Sequence, residues 1–173
     1  MTKHTTLDNT HIVSVLVWNK PGVLMRITAL IKRRGFNIES ISAGKWVDER
    51  MTRIIIVVLG DERILEQVER QLYKVVDTVS VSLIHPVNNV EREMALIKVK
   101  PSTLTNAEVI QIVEIFRGKI VDANQEGFIV EITGHVGKID AFINLLGNDN
   151  VKDISRTGFI AMDRWAVKSG RKG

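Results

Sequence analysis

HIVSVLVWNKPGVLMRITALIKRRGFNIES, residues 11–40, contains two changes of period that decide the fold. His11 to Trp18 is a β-branched run of strand length, closed by Asn19-Lys20-Pro21-Gly22, a turn signal. From Val23 the spacing changes. Val23, Ile27, Leu30 and Ile31 recur at helical intervals. Lys32, Arg33 and Arg34 crowd the last turn, where cations suit the negative end of the helix dipole, and Gly35 supplies the stop. At Phe36 the pattern returns to a strand that runs to Val47.

Outward from this β-α-β start, Asp48-Glu49-Arg50 reads as a hairpin connection into Met51 to Leu59. That third strand is apolar on both faces, which predicts a central position. Gly60-Asp61-Glu62 opens a helix with an acid in its first turn, carried by Ile64, Leu65, Val68 and Leu72. Val75 to Ile84 follows as a half-buried strand, Val79, Val81 and Leu83 alternating with Ser80 and Ser82. The order is β-α-β-β-α-β, after which His85 to Asn89 reads as a linker.

The second half repeats the order without repeating the sequence. Arg92 to Lys100 is a strand, and Thr105 with Glu108 forms a capping box ahead of Val109, Ile112, Val113 and Phe116. Lys119 to Ala123 and Phe128 to Gly134 are strands around the turn Asn124 to Gly127. Ile139, Phe142, Ile143 and Leu146 mark a helix closed by Gly147, and Val151 to Ala161 is a last strand interrupted near Gly158. The expected fold is α+β, two ferredoxin-like βαββαβ domains over 1–85 and 86–173. Each has a four-stranded antiparallel sheet with two helices on one face. The helix-free face of such a sheet, where apolar, needs a cover, and a second copy of the domain is the expected one.

Composition fits this plan. The chain has 173 residues, 45% hydrophobic and only 5% aromatic, so Val, Ile and Leu must build the cores. There is no Cys, which excludes disulfides, thiolate metal sites and cysteine nucleophiles. The net charge of +4 is spread as 12 Lys and Arg against 9 Asp and Glu up to Pro86, and 12 against 11 after it. Mixed signs in both halves describe a solvated surface, not a nucleic-acid stripe. Lys168, Arg171 and Lys172 read as a frayed basic tail. The polar stretch Met1 to Thr10 carries no targeting run, and the expected location is cytoplasmic.

Catalytic constellations are missing. His4, His11, His85 and His135 are scattered over a tail, a strand start, the linker and a helix start, so no metal site is expected. Neither G-x-G-x-x-G, the phosphate-binding G-x-x-x-x-G-K-[ST] nor G-x-S-x-G occurs. Asp48-Glu49 and Asp61-Glu62 are explained by a turn and a helix start. The unusual polar segment is Asn19 to Leu24. A helix N-terminus offers unpaired N–H groups to a carboxylate, and Gly22 lets a ligand approach the backbone. Asn19 and Asn37 offer oxygens to an ammonium, with Asn37 supplied by a second copy. The alternative is that Asn19 caps a turn and Asn37 belongs to a helix-end motif.

Asn19-Lys20-Pro21-Gly22-Val23-Leu24-Met25-Arg26, then Arg33-Arg34-Gly35-Phe36-Asn37-Ile38-Glu39-Ser40, resembles the signature of ACT domains. More closely it resembles the acetolactate synthase (acetohydroxyacid synthase) small regulatory subunits. Val90 to Val99, Glu114 to Asp122, Gly137 to Phe142 and Arg156-Thr157-Gly158 are similar to that family as well. The resemblance implies a non-catalytic subunit in branched-chain amino-acid biosynthesis. It implies an ACT homodimer that activates a catalytic large subunit and confers feedback inhibition by valine or a related amino acid. It implies effector-binding residues Asn19, Gly22, Val23, Leu24 and Asn37, with Ile38 as a wall. It implies no cofactor in this chain, and thiamine diphosphate, magnesium and FAD in the partner. Two departures stand out: the 48–50 connection is shorter than in many members, and 101–106 lacks an aromatic-glycine pattern. The competing expectations are a free-standing ACT amino-acid sensor with another partner and an RNA-recognition module of the same strand order. The latter stacks bases on aromatics of its central strands, and Arg53 to Val58 has none.

Overall fold

A computed structural model describes residues 10–85 and 87–165. His4, Pro86 and the basic tail at Lys168, Arg171 and Lys172 lie outside the described residues. The first six elements are β1 (Thr10–Trp18), α1 (Val23–Arg34), β2 (Asn37–Lys45), β3 (Met51–Leu59), α2 (Glu62–Leu72) and β4 (Thr78–Leu83). They form one antiparallel sheet in the order β2-β3-β1-β4. The next seven are β5 (Asn89–Val99), α3 (Asn106–Ile115), β6 (Lys119–Asn124), β7 (Gly127–Gly134), α4 (Val136–Leu146), β8 (Val151–Arg156) and β9 (Ile160–Asp163). Their sheet runs β6-β7-β5-β8, with β9 added to β5. The fold is α+β with two βαββαβ units, as the alternation of periods requires.

Among the described residues the compact units are 91–160 and the set 10–85, 87–90 and 161–165, so β5 and β9 both run across the division. Residues 161–165 therefore group with the first unit, where the sequence places them in the second domain.

In the first unit the core follows from the period of two along the strands. Val13, Val15 and Val17 stand opposite Ile56, Ile54 and Thr52 in the β1–β3 register. The aliphatic members of this set meet Ile27 and Ile31 of α1 and Val68 and Leu72 of α2. Each such side chain withdrawn from water contributes about 1.5–3 kcal/mol. Gly35 closes α1 at φ 68, and Asp61 caps α2 by accepting a hydrogen bond from Ile64 N at 2.9 Å. In the second unit Ala95, Ile97 and Val99 of β5 pack with Val130 and Ile132 of β7 against α3 and α4. The Thr105–Glu108 capping box forms as read from the sequence.

Two expectations are corrected. Of Val79, Val81 and Leu83, only Val81 is buried. Leu16 pairs with Ser80 and Val17 with Thr78, so Val79 is the extra residue of a bulge, while Leu83 ends an edge strand. The helix-free face of the first sheet is also not bare: Leu16, Ile55 and Val57 are 8%, 4% and 1% exposed within one chain. On the same face of the second sheet Met94 and Leu96 are 37% and 40% exposed. Only there does the apolar-face argument for a cover apply.

Candidate functional site

The segment between β1 and α1 is fixed by the backbone before any ligand is considered. Trp18 N–H donates to Asp77 O at 2.9 Å, and Asn19 N–H to Arg50 O at 2.7 Å. The Arg50 guanidinium lies 5.9 Å from the Trp18 ring centroid and is held by Asp48, its Nη2 donating at 2.7 Å. Trp18 is thus committed to a cation–π contact. Gly22 takes φ 82, a left-handed conformation that suits glycine, and its carbonyl accepts from Arg26 N at 3.0 Å. A Cβ at Gly22 would meet only Arg26 Nη1, at 3.6 Å, so conformation and not crowding selects glycine.

Helix α1 begins without a side-chain cap and without an acid in its first turn. Its positive end therefore has no protein anion of its own. The nearby carboxylate is Asp77, just ahead of β4, and it is already committed. Lys20 Nζ lies 3.0 Å from it, and Arg26 forms a second ion pair with its other oxygen. The hydrogen bond from Lys20, with the charges of Lys20 and Arg26, holds the Asp77 carboxyl below the usual aspartate range against the opposing effect of burial. One buried carboxylate thus pins the loop on both sides of Gly22.

The candidate residues divide by access. Val23 is 5% exposed with its side chain in the core, and its N–H donates to Lys20 O at 3.3 Å, so it offers a ligand little beyond position. Leu24 is 45% exposed beside Gly22. Ile38 is half-buried against the core, and Asn37 is exposed at the start of β2. Asn37 pairs with Leu59, which pairs with Thr10, whereas Asn19 follows Trp18 at the other end of β1. Nine residues of strand, about 30 Å, separate the two asparagines. One chain does not bring them together. Sequence reasoning missed Asp77 and Arg50, which look like a turn acid and a hairpin base until the fold puts them beside Lys20 and Trp18.

The family profile described as "AHAS small subunit-like ACT domain" matches residues 13–80, and that described as "Small subunit of acetolactate synthase" matches 92–165. The probable acetolactate synthase small subunit of Methanothermobacter thermautotrophicus is 46% identical over 157 residues, covering 90% of this chain and 94% of that protein. The chain belongs to the acetolactate synthase small-subunit family. The small subunit of Aquifex aeolicus is 46% identical over 155 residues, covering 89% of this chain and 81% of its own. The crystal structure of the Thermotoga maritima small subunit superimposes with a TM-score of 0.87 at 51% identity, over 91% of this chain and 99% of that one.

All three described histidines and Arg156 of this small subunit are engaged by the fold. His11 Nε2 lies 3.1 Å from Gly60 O, and His85 Nδ1 accepts from Val87 N and Asn88 N. His135 Nδ1 accepts from Gly137 N at the start of α4 while Nε2 faces Glu91. Arg156, from the Arg-Thr-Gly segment, donates to Glu93 Oε2 at 2.7 Å and to Asp140 Oδ1 at 2.9 Å. Among the described residues no cluster of His, Asp or Glu gathers that could hold a metal ion. No helix among them is long and apolar enough to cross a membrane.

Proposed function

We propose that this small subunit binds the catalytic large subunit of acetolactate synthase, raises its activity, and makes it sensitive to valine or a related branched-chain amino acid. The observation that carries the reading is the uncapped N-terminus of α1, with Gly22 at its mouth and Asp77 neutralised by Lys20 and Arg26. The effector carboxylate meets the first-turn amides and its ammonium meets asparagine oxygen. Asn19, Gly22, Val23 and Leu24 come from one copy and Asn37 and Ile38 from the other, because about 30 Å separates Asn19 from Asn37 within a chain. The small subunit itself is non-catalytic. Thiamine diphosphate, magnesium and FAD reside in the large subunit, and the complex works in the cytoplasm. The test mixes purified chain with its catalytic subunit and assays acetolactate formation with and without valine. The expected result is a higher rate on mixing that valine then lowers; no change in rate on mixing overturns the proposal.

A further inference from the structure

The second unit has a cavity of about 360 Å³ on the helix-free side of its sheet, at the small end of the range for ligand sites. Lys98, Lys100 and Lys152 line it together with Asp122 and Glu126, over Ile129. Among the described residues Lys98 and Lys100 form no ion pair, and neither do Asp122 and Glu126. Lys152 donates only to Asp149 O. Both signs thus face one space without meeting each other.

The strand register explains the separation. Asp122 of β6 pairs with Ile129 of β7, and Ile129 with Lys98 of β5. Acid and ammonium therefore stand two strand spacings apart, about 10 Å between their backbones, with an apolar side chain between. The turn carrying Glu126 is closed by its own asparagine: Asn124 Oδ1 accepts from Glu126 N at 2.8 Å and from Gly127 N at 3.2 Å. A Cβ at Gly127 would fall 2.1 Å from Val99 O, so the turn lies directly on β5 beside Lys100.

A lone anion would meet the lysines but face two carboxylates; a lone cation would meet the reverse. A zwitterion satisfies both, since an α-amino acid with a charge-assisted hydrogen bond of about 2.8 Å at each end fits the span. Three ammonium groups against two carboxylates leave one positive charge over. We infer that this cavity binds an acidic α-amino acid, its ammonium on Asp122 and Glu126 and its two carboxylates on the lysines. This site is separate from the effector loop at α1.

The full-length protein is titrated by calorimetry with L-glutamate and with glutarate, which lacks the ammonium, while the Ile129 methyl resonance is followed in isotope-labelled protein. L-Glutamate is expected to saturate and to bind at least about fivefold tighter than glutarate, moving the Ile129 signal. Asp122→Asn, or Glu126→Gln as a second variant, should reduce that preference, and Lys98→Met should weaken both ligands. Asn37→Ala should leave the binding unchanged. Equal affinity for the two ligands, an intact preference in both carboxamide variants, or no saturable heat and no movement of Ile129 overturns the inference.

Discussion

Asn150 is 1% exposed, and every polar atom of its side chain has a partner. Its Oδ1 accepts from Ser102 N at 2.7 Å and Thr103 N at 3.1 Å, while Nδ2 donates to Thr103 Oγ1 at 2.7 Å and Leu146 O at 2.8 Å. One side chain ties the loop before α3 to the end of α4. Truncation would orphan several backbone groups at once, so Asn150→Ala should cost about 3 kcal/mol, read from urea unfolding. At Gly22 the expected effect falls on regulation. Gly22→Asp places a carboxylate where the effector's own would sit, beside Arg26, and adds about 1 kcal/mol of backbone cost at φ 82. Activation of the catalytic subunit should persist while inhibition by valine disappears; a variant that keeps full valine sensitivity would remove the α1 loop from the effector site.

Between elements, Asp77 is the residue through which β4 holds the β1–α1 loop. Its carboxyl is depressed in the folded protein, chiefly by the hydrogen bond from Lys20. A depressed acid contributes stability above its unfolded value, about 4, and loses it as pH falls through the folded value. Asp77→Asn should therefore lower Tm near neutrality and flatten the acid side of the Tm–pH curve. An unchanged acid limb would count against the pairing. The elements themselves were largely legible, because each rests on local signals: the period change at Val23, Gly35 as a stop, Asp61 as a cap, Thr105 with Glu108 as a box. Burial on β4 was not, since the bulge at Val79 depends on pairing with β1. Asp77, Arg50 and Asn150 escaped for a related reason. Their partners lie far along the chain, and turn acids and amides carry no mark of distant neighbours. The α1 loop was legible as a segment, but the burial of Val23 and the separation of Asn19 from Asn37 needed the register.

At the scale of the whole molecule, two units of one plan treat their helix-free faces differently. Ile55 is withdrawn from water and Leu96 is not. Ile55→Lys should destabilise the chain by more than about 3 kcal/mol, because an ammonium would be forced into an apolar, buried position. Leu96→Lys should change stability by no more than about 0.5 kcal/mol. Thermal unfolding of the two variants decides the matter, and equal losses would contradict the contrast. The aliphatic composition serves both units: the strands need β-branched residues, and no aromatic platform lines the first sheet's centre.

The placement of Asn19 and Asn37 at opposite ends of one sheet has an arithmetic consequence for a two-fold dimer. Each chain would lend its α1 loop to one pocket and its β2 start to the other, so a pair of chains holds two composite pockets. Gly22→Asp chains and Asn37→Ala chains would each be impaired in both pockets when pure. Mixed and allowed to exchange, they would form hybrids with one pocket wholly intact and the other doubly damaged. Partial valine sensitivity should then reappear on mixing, a complementation that no arrangement within a single chain can produce.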